Sequence, residues 1–365
     1  MRSRTSRGGL SLPSVTVLLC MRESSTPNLA CLQGLLTLDY PRYTIQIVTE
    51  RIQDQDHVVR FCQNYPDVPV NICALEVWHK TCSFEGSALI QTVRQLSQPS
   101  EVVAMIDASL QPHPNWLTEL VRPLADTRVG VTTGYRWYPP VKGGLQALLR
   151  YAWNGFMVVQ MCLSRVPWEG SFALRTAQIH QIDLVNTWQK SVTTDVILST
   201  LLRRQGLEVR VVPSLFMAQH HHSDLYSFVD WVKRRLLLLR VYHPLWLLVA
   251  AQGIFVTATL TRAFVKLVSA LFLGDWSASY WVLCGFAVYM GVVAVLISIP
   301  ERYARQAAKQ RGESKNLIPL LLLPKILLAI PLAQLLHAVT TISILFVRRL
   351  TLQDNAFPIQ ELRRI

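Results

Sequence analysis

The chain has 365 residues, enough for one large domain or two ordinary ones, and its 51% hydrophobic and 16% charged composition leans toward membrane association. The formal net charge of +13 raises nucleic acid as a partner, but no aromatic and basic stripe or recognised nucleic-acid motif accompanies it, so no nucleic-acid partner is expected.

The N-terminal residues 1–13 form a basic tail with Arg2, Arg4 and Arg7. The apolar run that follows, Ser14 to Cys20, is too short for the core of a secretory signal and reads as a strand, so no export is expected. From Val15 to Trp137 short β-branched runs alternate with amphipathic stretches. Strands are predicted at Val15 to Cys20, Tyr43 to Thr49, Val70 to Val77, Glu101 to Ile106 and Val129 to Trp137. Helices are predicted between them at Pro27 to Leu38, Asp54 to Asn64, Glu85 to Leu96 and Pro114 to Leu124, two of them opened by proline. That alternation predicts an α/β fold with a mostly parallel sheet. Ligands of such sheets bind beyond the carboxyl ends of the strands, which is where Asp107 falls. There is no internal repeat, and no G-x-G-x-x-G or Walker sequence, so a Gly-rich phosphate loop is absent. The seven cysteines form no Cys-x-x-Cys pair and are expected to be free thiols, with no zinc site.

Three apolar runs follow: Trp246 to Thr261, Tyr280 to Ile299 and Ile326 to Val347. Each is long enough, or nearly so, for a hydrocarbon core that takes about 20 helical residues to cross. Tyr280 to Ile299 carries no charge, whereas a soluble amphipathic helix would show polar residues every third or fourth position. Arg262, Lys266 and Lys325 can snorkel to the headgroups. Lys233, Arg234, Arg235 and Arg240 precede the first run, and Arg302, Arg305, Lys309, Arg311 and Lys315 follow the second. The positive-inside tendency then puts the N-terminal domain in the cytoplasm of a multi-pass membrane protein. Three crossings would, however, carry Arg348, Arg349, Arg363 and Arg364 to the far side. Either one run lies in the interface or the tail breaks the rule. The expected division is a tail over 1–13, a catalytic domain over 14–240, a membrane region of about three helices over 241–350 and a C-terminal tail over 351–365.

Four segments, in order, carry a family resemblance: Leu38-Asp-Tyr-Pro-Arg-Tyr43; Ile106-Asp-Ala-Ser109 followed by Pro112-His-Pro-Asn-Trp-Leu117; Pro167-Trp-Glu-Gly-Ser171; and Asp195-Val-Ile-Leu-Ser199. Together they resemble family 2 type glycosyltransferases, and most closely the membrane-bound ceramide glucosyltransferase-like branch. The resemblance covers most of residues 14–245 and the apolar C-terminal region. It implies a GT-A (Rossmann-like) fold, a nucleotide-sugar donor such as a UDP-hexose, and inverting transfer of a hexose to a lipid acceptor with a ceramide-like or glycerolipid hydroxyl. Relatives usually carry a transmembrane helix ahead of the first strand. Here the basic tail stands in that place, and either an earlier start or reliance on the C-terminal anchor accounts for it.

The resemblance assigns roles that chemistry supports. A leaving pyrophosphate needs its developing charge neutralised, and a divalent Mg²⁺ or Mn²⁺ held by oxygen ligands supplies this. Asp107 is the candidate metal and diphosphate anchor; the alternative is a turn cap after the strand. Where relatives carry D-x-D, the second position here is Ser109, a neutral oxygen. Asp195 matches the aspartate of the family's Glu-Asp pair and is the candidate base for the acceptor hydroxyl, with Thr194 replacing the Glu. A helix N-cap is the competing reading of Thr-Thr-Asp195, and both can hold. In Trp231-Val-Lys-Arg234-Arg235, Arg234 is the candidate diphosphate contact and Trp231 a wall of the acceptor pocket, while Lys233 and Arg235 read as a basic cluster on anionic lipid. Trp168, Glu169 and Gly170 form the loop expected to shape the acceptor site, with Glu169 replacing a glycine of relatives. Glu50 is a candidate acidic contact to base or ribose, and Glu85 stands where relatives place a lysine. Of His220-His-His222, His221 is the candidate for a metal or diphosphate contact; adjacent histidines point in different directions, so the three do not make one site. The reading that results is a membrane-bound glycosyltransferase. Its alternatives are a processive polysaccharide synthase, for which about three crossings are few, and a catalytically silent binding protein.

Overall fold

Apolar runs, buried on both faces in the central strands and partly exposed at the edges, become the strands of one seven-stranded sheet. In the computed structural model these are β1 (Val15–Met21), β2 (Tyr43–Thr49), β3 (Val70–Ala74), β4 (Val102–Asp107), β5 (Val129–Trp137), β6 (Ser171–Arg175) and β7 (Glu208–Ala218). The structure describes residues 12–359 apart from 23–24, 80, 97–99, 141–143, 169, 220–223, 314–321 and 353–354. The helices are α1 (Thr26–Leu36), α2 (Gln55–Cys62), α3 (Phe84–Arg94), α4 (Trp116–Val121), α5 (Leu145–Ser164), α6 (Thr176–Gln181), α7 (Leu184–Gln189), α8 (Asp195–Arg204), α9 (Leu225–Tyr242), α10 (Trp246–Phe272), α11 (Trp276–Gln310) and α12 (Leu323–Leu345). A short antiparallel hairpin, β8 (Arg349–Leu352) and β9 (Asn355–Pro358), follows.

The strand order is β3-β2-β1-β4-β6-β5-β7. All neighbours are parallel except β6, which runs antiparallel to both β4 and β5. The mostly parallel α/β sheet expected from the sequence is therefore present. Its winding reverses between β1 and β4, so a crevice opens at their carboxyl ends, where Cys20 pairs with Asp107. Because β6 is antiparallel, its start lies at that same end: Ser171 pairs with Ile106, and the Asp107 amide donates to the Gly170 carbonyl at 2.9 Å.

Most element boundaries shift by one to three residues from expectation, and one shift has a clear local reason. Pro123 has no amide hydrogen, so the helix predicted to Leu124 stops at Val121 and tightens into a 3₁₀ turn over Arg122–Ala125. Strand β4 extends to include Asp107, and β3 stops at Ala74, short of Val77. Helix α3 is capped by Ser83, whose hydroxyl accepts from the Gly86 amide at 3.1 Å. All seven cysteines are free, as expected.

The three apolar helices are unlike one another in their surroundings. For α10 and α11 only 6% of the most apolar window is buried; for α12 it is 50%. One face of α12, including Ile330, Ala333, His337 and Ile344, is buried, while Leu328, Leu332, Val339 and Phe346 stand exposed on the other. The chain returns to the sheet after α11: Arg311 donates to the Ser214 carbonyl at 3.1 Å and the Phe216 carbonyl at 2.7 Å, both on β7. It is tied to the same body again after α12, where Arg240 on α9 donates to the carbonyls of Ile344 and, at 3.3 Å, Val347. Above the apolar part of α11, Glu301 accepts from Trp137 Nε1 at 2.8 Å and Tyr151 Oη at 3.1 Å, and Arg305 donates to it at 2.6 Å.

Trp116 seats α4 under the antiparallel strand: it is fully buried, and its Nε1 donates to Ser171 Oγ at 3.1 Å. Trp116→Ala should destabilise the protein by about 3–5 kcal/mol through the cavity it leaves. Thermal unfolding in detergent, followed by circular dichroism, should show a lowered midpoint, and an unchanged midpoint would contradict this packing.

Candidate active site

Asp107 ends β4 at the crevice, and its two carboxylate oxygens have separate duties. Oδ1 accepts from the Ser109 amide at 2.8 Å and the Ser109 hydroxyl at 2.7 Å, the local turn expected after a strand. Oδ2 accepts from Arg136 Nη2 at 2.5 Å. The turn reading and the anchor reading thus coexist on one side chain. Enclosure in the crevice pushes the Asp107 carboxyl up, but the Arg136 charge and the Ser109 hydrogen bonds outweigh it and hold the group below its ordinary value.

Arg136 comes from β5, two strands away, and is absent from the family motifs read in the sequence. Its Nη1 donates to Tyr138 Oη at 3.2 Å, and its guanidinium lies 5.1 Å from the centre of the Trp168 ring. Burial alone would lower its pKa; the neighbouring Tyr138 and Asp107 raise it, so it stays a cation. Trp168 is fixed in turn by Thr133, whose hydroxyl accepts from its backbone amide at 2.9 Å. Gly170 is required where it stands, because a Cβ there would sit 2.1 Å from the Trp168 ring. Glu169 between them lies outside the described residues.

Around Asp107 opens a crevice of about 430 Å³. Besides Asp107 and Ser109 it is lined by Arg22, Glu85, Arg136, Trp168, Arg234 and Arg235. Arg22 stands at the end of β1, with its guanidinium 5.3 Å from the Phe84 ring and its Nε 3.7 Å from Glu50. Glu50 does not line the crevice and reaches it only through Arg22. Gln219, just past β7, donates to Ser109 Oγ at 2.8 Å. The histidines that follow it, including His221, lie outside the described residues.

Asp195 is the first residue of α8 and is 2% exposed. Its Oδ1 accepts from Thr193 Oγ1 at 2.5 Å and from the Val196 amide at 2.6 Å, and its Oδ2 faces Arg235 Nη1 at 3.9 Å. Thr194 occupies the N-cap position without a side-chain cap bond. The carboxylate opens on a small apolar compartment of about 70 Å³ walled by Trp153, Met157, Trp168 and Trp231. Arg136, Trp168, Trp231, Arg235 and Leu238 line both this compartment and the crevice of Asp107, so the two aspartates face adjoining spaces across one shared partition.

Trp231 packs 5.0 Å from Trp153 and 6.2 Å from Phe228, beside the Arg235 guanidinium. Arg234 lines the crevice and pairs with Asp230 one turn back at 3.4 Å. Arg235, read in the sequence as a lipid-facing charge, lines both spaces. The structure therefore brings together Asp107, Ser109, Trp168, Gly170, Asp195, Trp231 and Arg234, and adds Arg22, Arg136, Gln219 and Arg235. Among the described residues no group of three His, Cys, Asp or Glu stands together. At the end of β4 the oxygen donors are the ionised Asp107 carboxylate and the Ser109 hydroxyl, with Glu85 and Ser83 elsewhere on the crevice wall. That donor set fits a hard cation of the kind held by one or two carboxylates and otherwise by substrate phosphates.

A family model described as glycosyltransferase like family 2 matches residues 13–236. Among solved structures, the mannosyltransferase PcManGT from Pyrobaculum calidifontis, in complex with GDP-Man and Mn²⁺, superposes with a TM-score of 0.50 at 18% identity, covering 82% of this chain and 87% of that one. TarS residues 1–349 from S. aureus gives 0.41 at 13% identity over 94% and 95% of the two chains. Glucosyl-3-phosphoglycerate synthase from Mycobacterium tuberculosis, in complex with UDP, gives 0.39 at 13% identity over 65% and 86%. No curated protein matches the chain.

The Asp107 and Arg136 pair sets a pH dependence whose sign can be checked. A carboxyl held below its ordinary value of 3.8 adds stability that is present above that value and lost as pH falls through the lowered one. In Arg136→Met the lowering by the guanidinium is lost, so the Asp107 pKa should rise and the stability it adds should shrink and be lost at higher pH than in the parent. Thermal midpoints between pH 3 and 6, compared with Arg136→Met and the Asp107→Asn double variant, should show this upward displacement. Identical acid profiles in both proteins would refute the pairing.

Proposed function

The chain belongs to the family described as glycosyltransferase like family 2, and from that premise we propose a membrane-bound enzyme that transfers a hexose from a nucleotide sugar to a lipid hydroxyl with inversion. The observation that carries the reading is the partition: a polar, cation-rich crevice at Asp107 adjoins an apolar compartment at Asp195, and both share Arg136, Trp168, Trp231 and Arg235. One space suits a charged donor and the other a greasy acceptor. The catalytic domain spans residues 14–240, and its GT-A-like α/β fold is that seen in PcManGT, which binds GDP-Man and Mn²⁺. A UDP-hexose is the donor class expected here, and a ceramide-like or glycerolipid hydroxyl the acceptor class.

In this mechanism Asp195 takes the proton of the acceptor hydroxyl. The hydroxyl oxygen attacks the anomeric carbon while its bond to the diphosphate oxygen breaks on the opposite side, so one in-line displacement inverts the centre. Arg22, Arg136, Arg234 and Arg235 meet the charge that develops on the leaving diphosphate. Asp107 and Ser109 would hold Mg²⁺ or Mn²⁺, which when bound supplies further positive charge to that diphosphate. Trp168 and Trp231 bound the acceptor, and Gly170 lets Trp168 close against the loop.

The membrane region has two crossings, α10 and α11, with α12 lying in the interface beneath the catalytic domain. The chain is tied to that domain by Arg311 before α12 and by Arg240 after it, so an odd number of crossings between them does not fit. Residues 276–296 of α11 rise about 31 Å, the thickness of a hydrocarbon core. Trp276, Tyr280 and Trp281 are exposed at the far end as an aromatic belt, at the turn that also brings Arg262 and Lys266 toward that interface. This arrangement keeps Arg348 and Arg349 on the same side as the other basic clusters, a cytoplasmic side by the positive-inside tendency.

Two experiments test these readings. With purified protein, Mg²⁺ or Mn²⁺, nucleotide sugars and membrane lipid extract, Asp195→Asn should lower kcat by about 10²–10⁴-fold. Binding of the nucleotide sugar should stay within about twofold, because Asp195 opens on the acceptor compartment. Equal loss of donor binding would remove Asp195 from the role of base. Separately, a single cysteine placed after residue 360 and one placed in the turn at Gly274 should react with an impermeant maleimide from opposite faces of sealed vesicles. Labelling of both from one face would overturn the two-crossing arrangement.

A further inference from the structure

On the face of α5 turned away from Asp195, a second and larger chamber of about 590 Å³ lies among α5, α10, α11 and α12. This lies within the range of about 300–1,000 Å³ usual for small-molecule sites. Its lining is mostly hydrocarbon, with Phe156, Val256, Val293, Leu296 and Ile330 among its walls. Side chains with polar atoms interrupt it, among them Gln160, Ser164, Gln252, Tyr289, Gln334 and His337.

His337 is the informative one. It is 1% exposed, and neither ring nitrogen has a hydrogen-bond partner. Its ring lies edge-on to Phe156 at 5.8 Å and is pressed against Gly253, where a Cβ would come within 2.6 Å. The small residue on α10 is thus what admits the imidazole. Gln160 Oε1 is also buried without a partner, although Gln160 Nε2 donates to Gln252 Oε1 at 2.9 Å. An unpaired polar group in such a place is costly, and beside lipid no bulk water is at hand to satisfy it. An ionisable side chain enclosed among apolar helices in this way is by default a pointer to function, with its partner to be named. A partner here must offer both a hydrogen-bonding group and a long apolar body.

We propose that this chamber binds the polar junction of a two-chain membrane lipid. His337 hydrogen-bonds the hydroxyl, amide or ester group at the junction, the glutamines surround it, and the chains lie along α10, α11 and α12. The proposal rests on the membrane arrangement above. It reaches beyond the catalytic site because α5 separates the chamber from the Asp195 compartment, with Trp153 alone lining both. The bound lipid is either an acceptor waiting beside the site or a resident bilayer lipid; the junction chemistry is shared.

The test uses the full chain in phosphatidylcholine nanodiscs containing a trace of ceramide or diacylglycerol with a diazirine near the junction. After irradiation, peptide mapping should place adducts on α12 around His337 and on α5 around Phe156. His337→Phe, which keeps a ring of similar size, should lower those adducts about tenfold, the loss expected for one hydrogen bond of ordinary strength. Adducts only at the outward residues Leu328, Leu332 and Val339, or adducts unchanged by His337→Phe, would overturn the proposal. A raised KM for the lipid acceptor with an unchanged KM for the nucleotide sugar would assign the site to acceptor; unchanged kinetics with lost adducts would assign it to a resident lipid. Chamber adducts without any sugar transfer would leave this site standing and count against the transferase reading. Transfer without chamber adducts would do the reverse.

Discussion

A buried guanidinium organises the site. Arg136 sits among β-strands, where an unpaired cation would be untenable, and its charge is answered by Asp107, by the Tyr138 hydroxyl and by the face of Trp168. Each of these partners is held by something else: Asp107 by Ser109, itself held by Gln219, Trp168 by Thr133, and Tyr138 by the edge-on ring of Trp231 at 6.1 Å. Removing the arginine would leave a carboxylate enclosed without its counter-ion and an aromatic wall without its support. The partition between the Asp107 crevice and the Asp195 compartment is therefore an electrostatic structure as much as a steric one.

The sheet explains how these residues meet. Four come from segments far apart in the chain: the ends of β1, β4 and β7 and the body of β5. The antiparallel insertion of β6 then brings the Trp168 and Gly170 loop to the same edge. Alternating β-branched runs made the strands and the position of Asp107 readable, because a carboxylate closing an apolar run has few places to go but the strand's carboxyl end. Arg22, Arg136 and Gln219 were not readable in that way. Nothing local distinguishes them from solvated polar residues, and their roles arise only from which strands become neighbours. Arg234 and Arg235 show the limit differently. Adjacent helical residues point about 100° apart, so a run of basic residues does not reveal which of them faces the site. Both prove to line the crevice, and only Arg235 also reaches the compartment of Asp195.

Apolar composition was equally legible in the three C-terminal helices, but depth and direction were not. Hydropathy is the same for a helix that crosses and for one pressed beneath a domain. What separates α12 from the other two is that half of its apolar window is buried against the protein, and that Arg240 grips its end. The basic tail poses the same problem in the sequence, because three crossings would strand it on the wrong side. In the two-crossing arrangement proposed above, the hydrogen bonds of Arg311 and Arg240 supply the missing parity.

Helix α9 joins these levels. Its Trp231, Arg234 and Arg235 line the Asp107 crevice, and Arg240, five residues beyond Arg235 and about 7.5 Å further along the axis, holds the end of α12. In the arrangement proposed above, this rigid helix would set the height of the Asp195 compartment above the lipid surface, and a lipid hydroxyl would meet Asp195 while its chains stay among apolar side chains. A soluble sugar acceptor would gain nothing from that spacing, and would meet instead a compartment walled by Trp153, Met157, Trp168 and Trp231. The short span from Arg235 to Arg240, more than the apolar helices themselves, is the reason to look for the acceptor in the membrane.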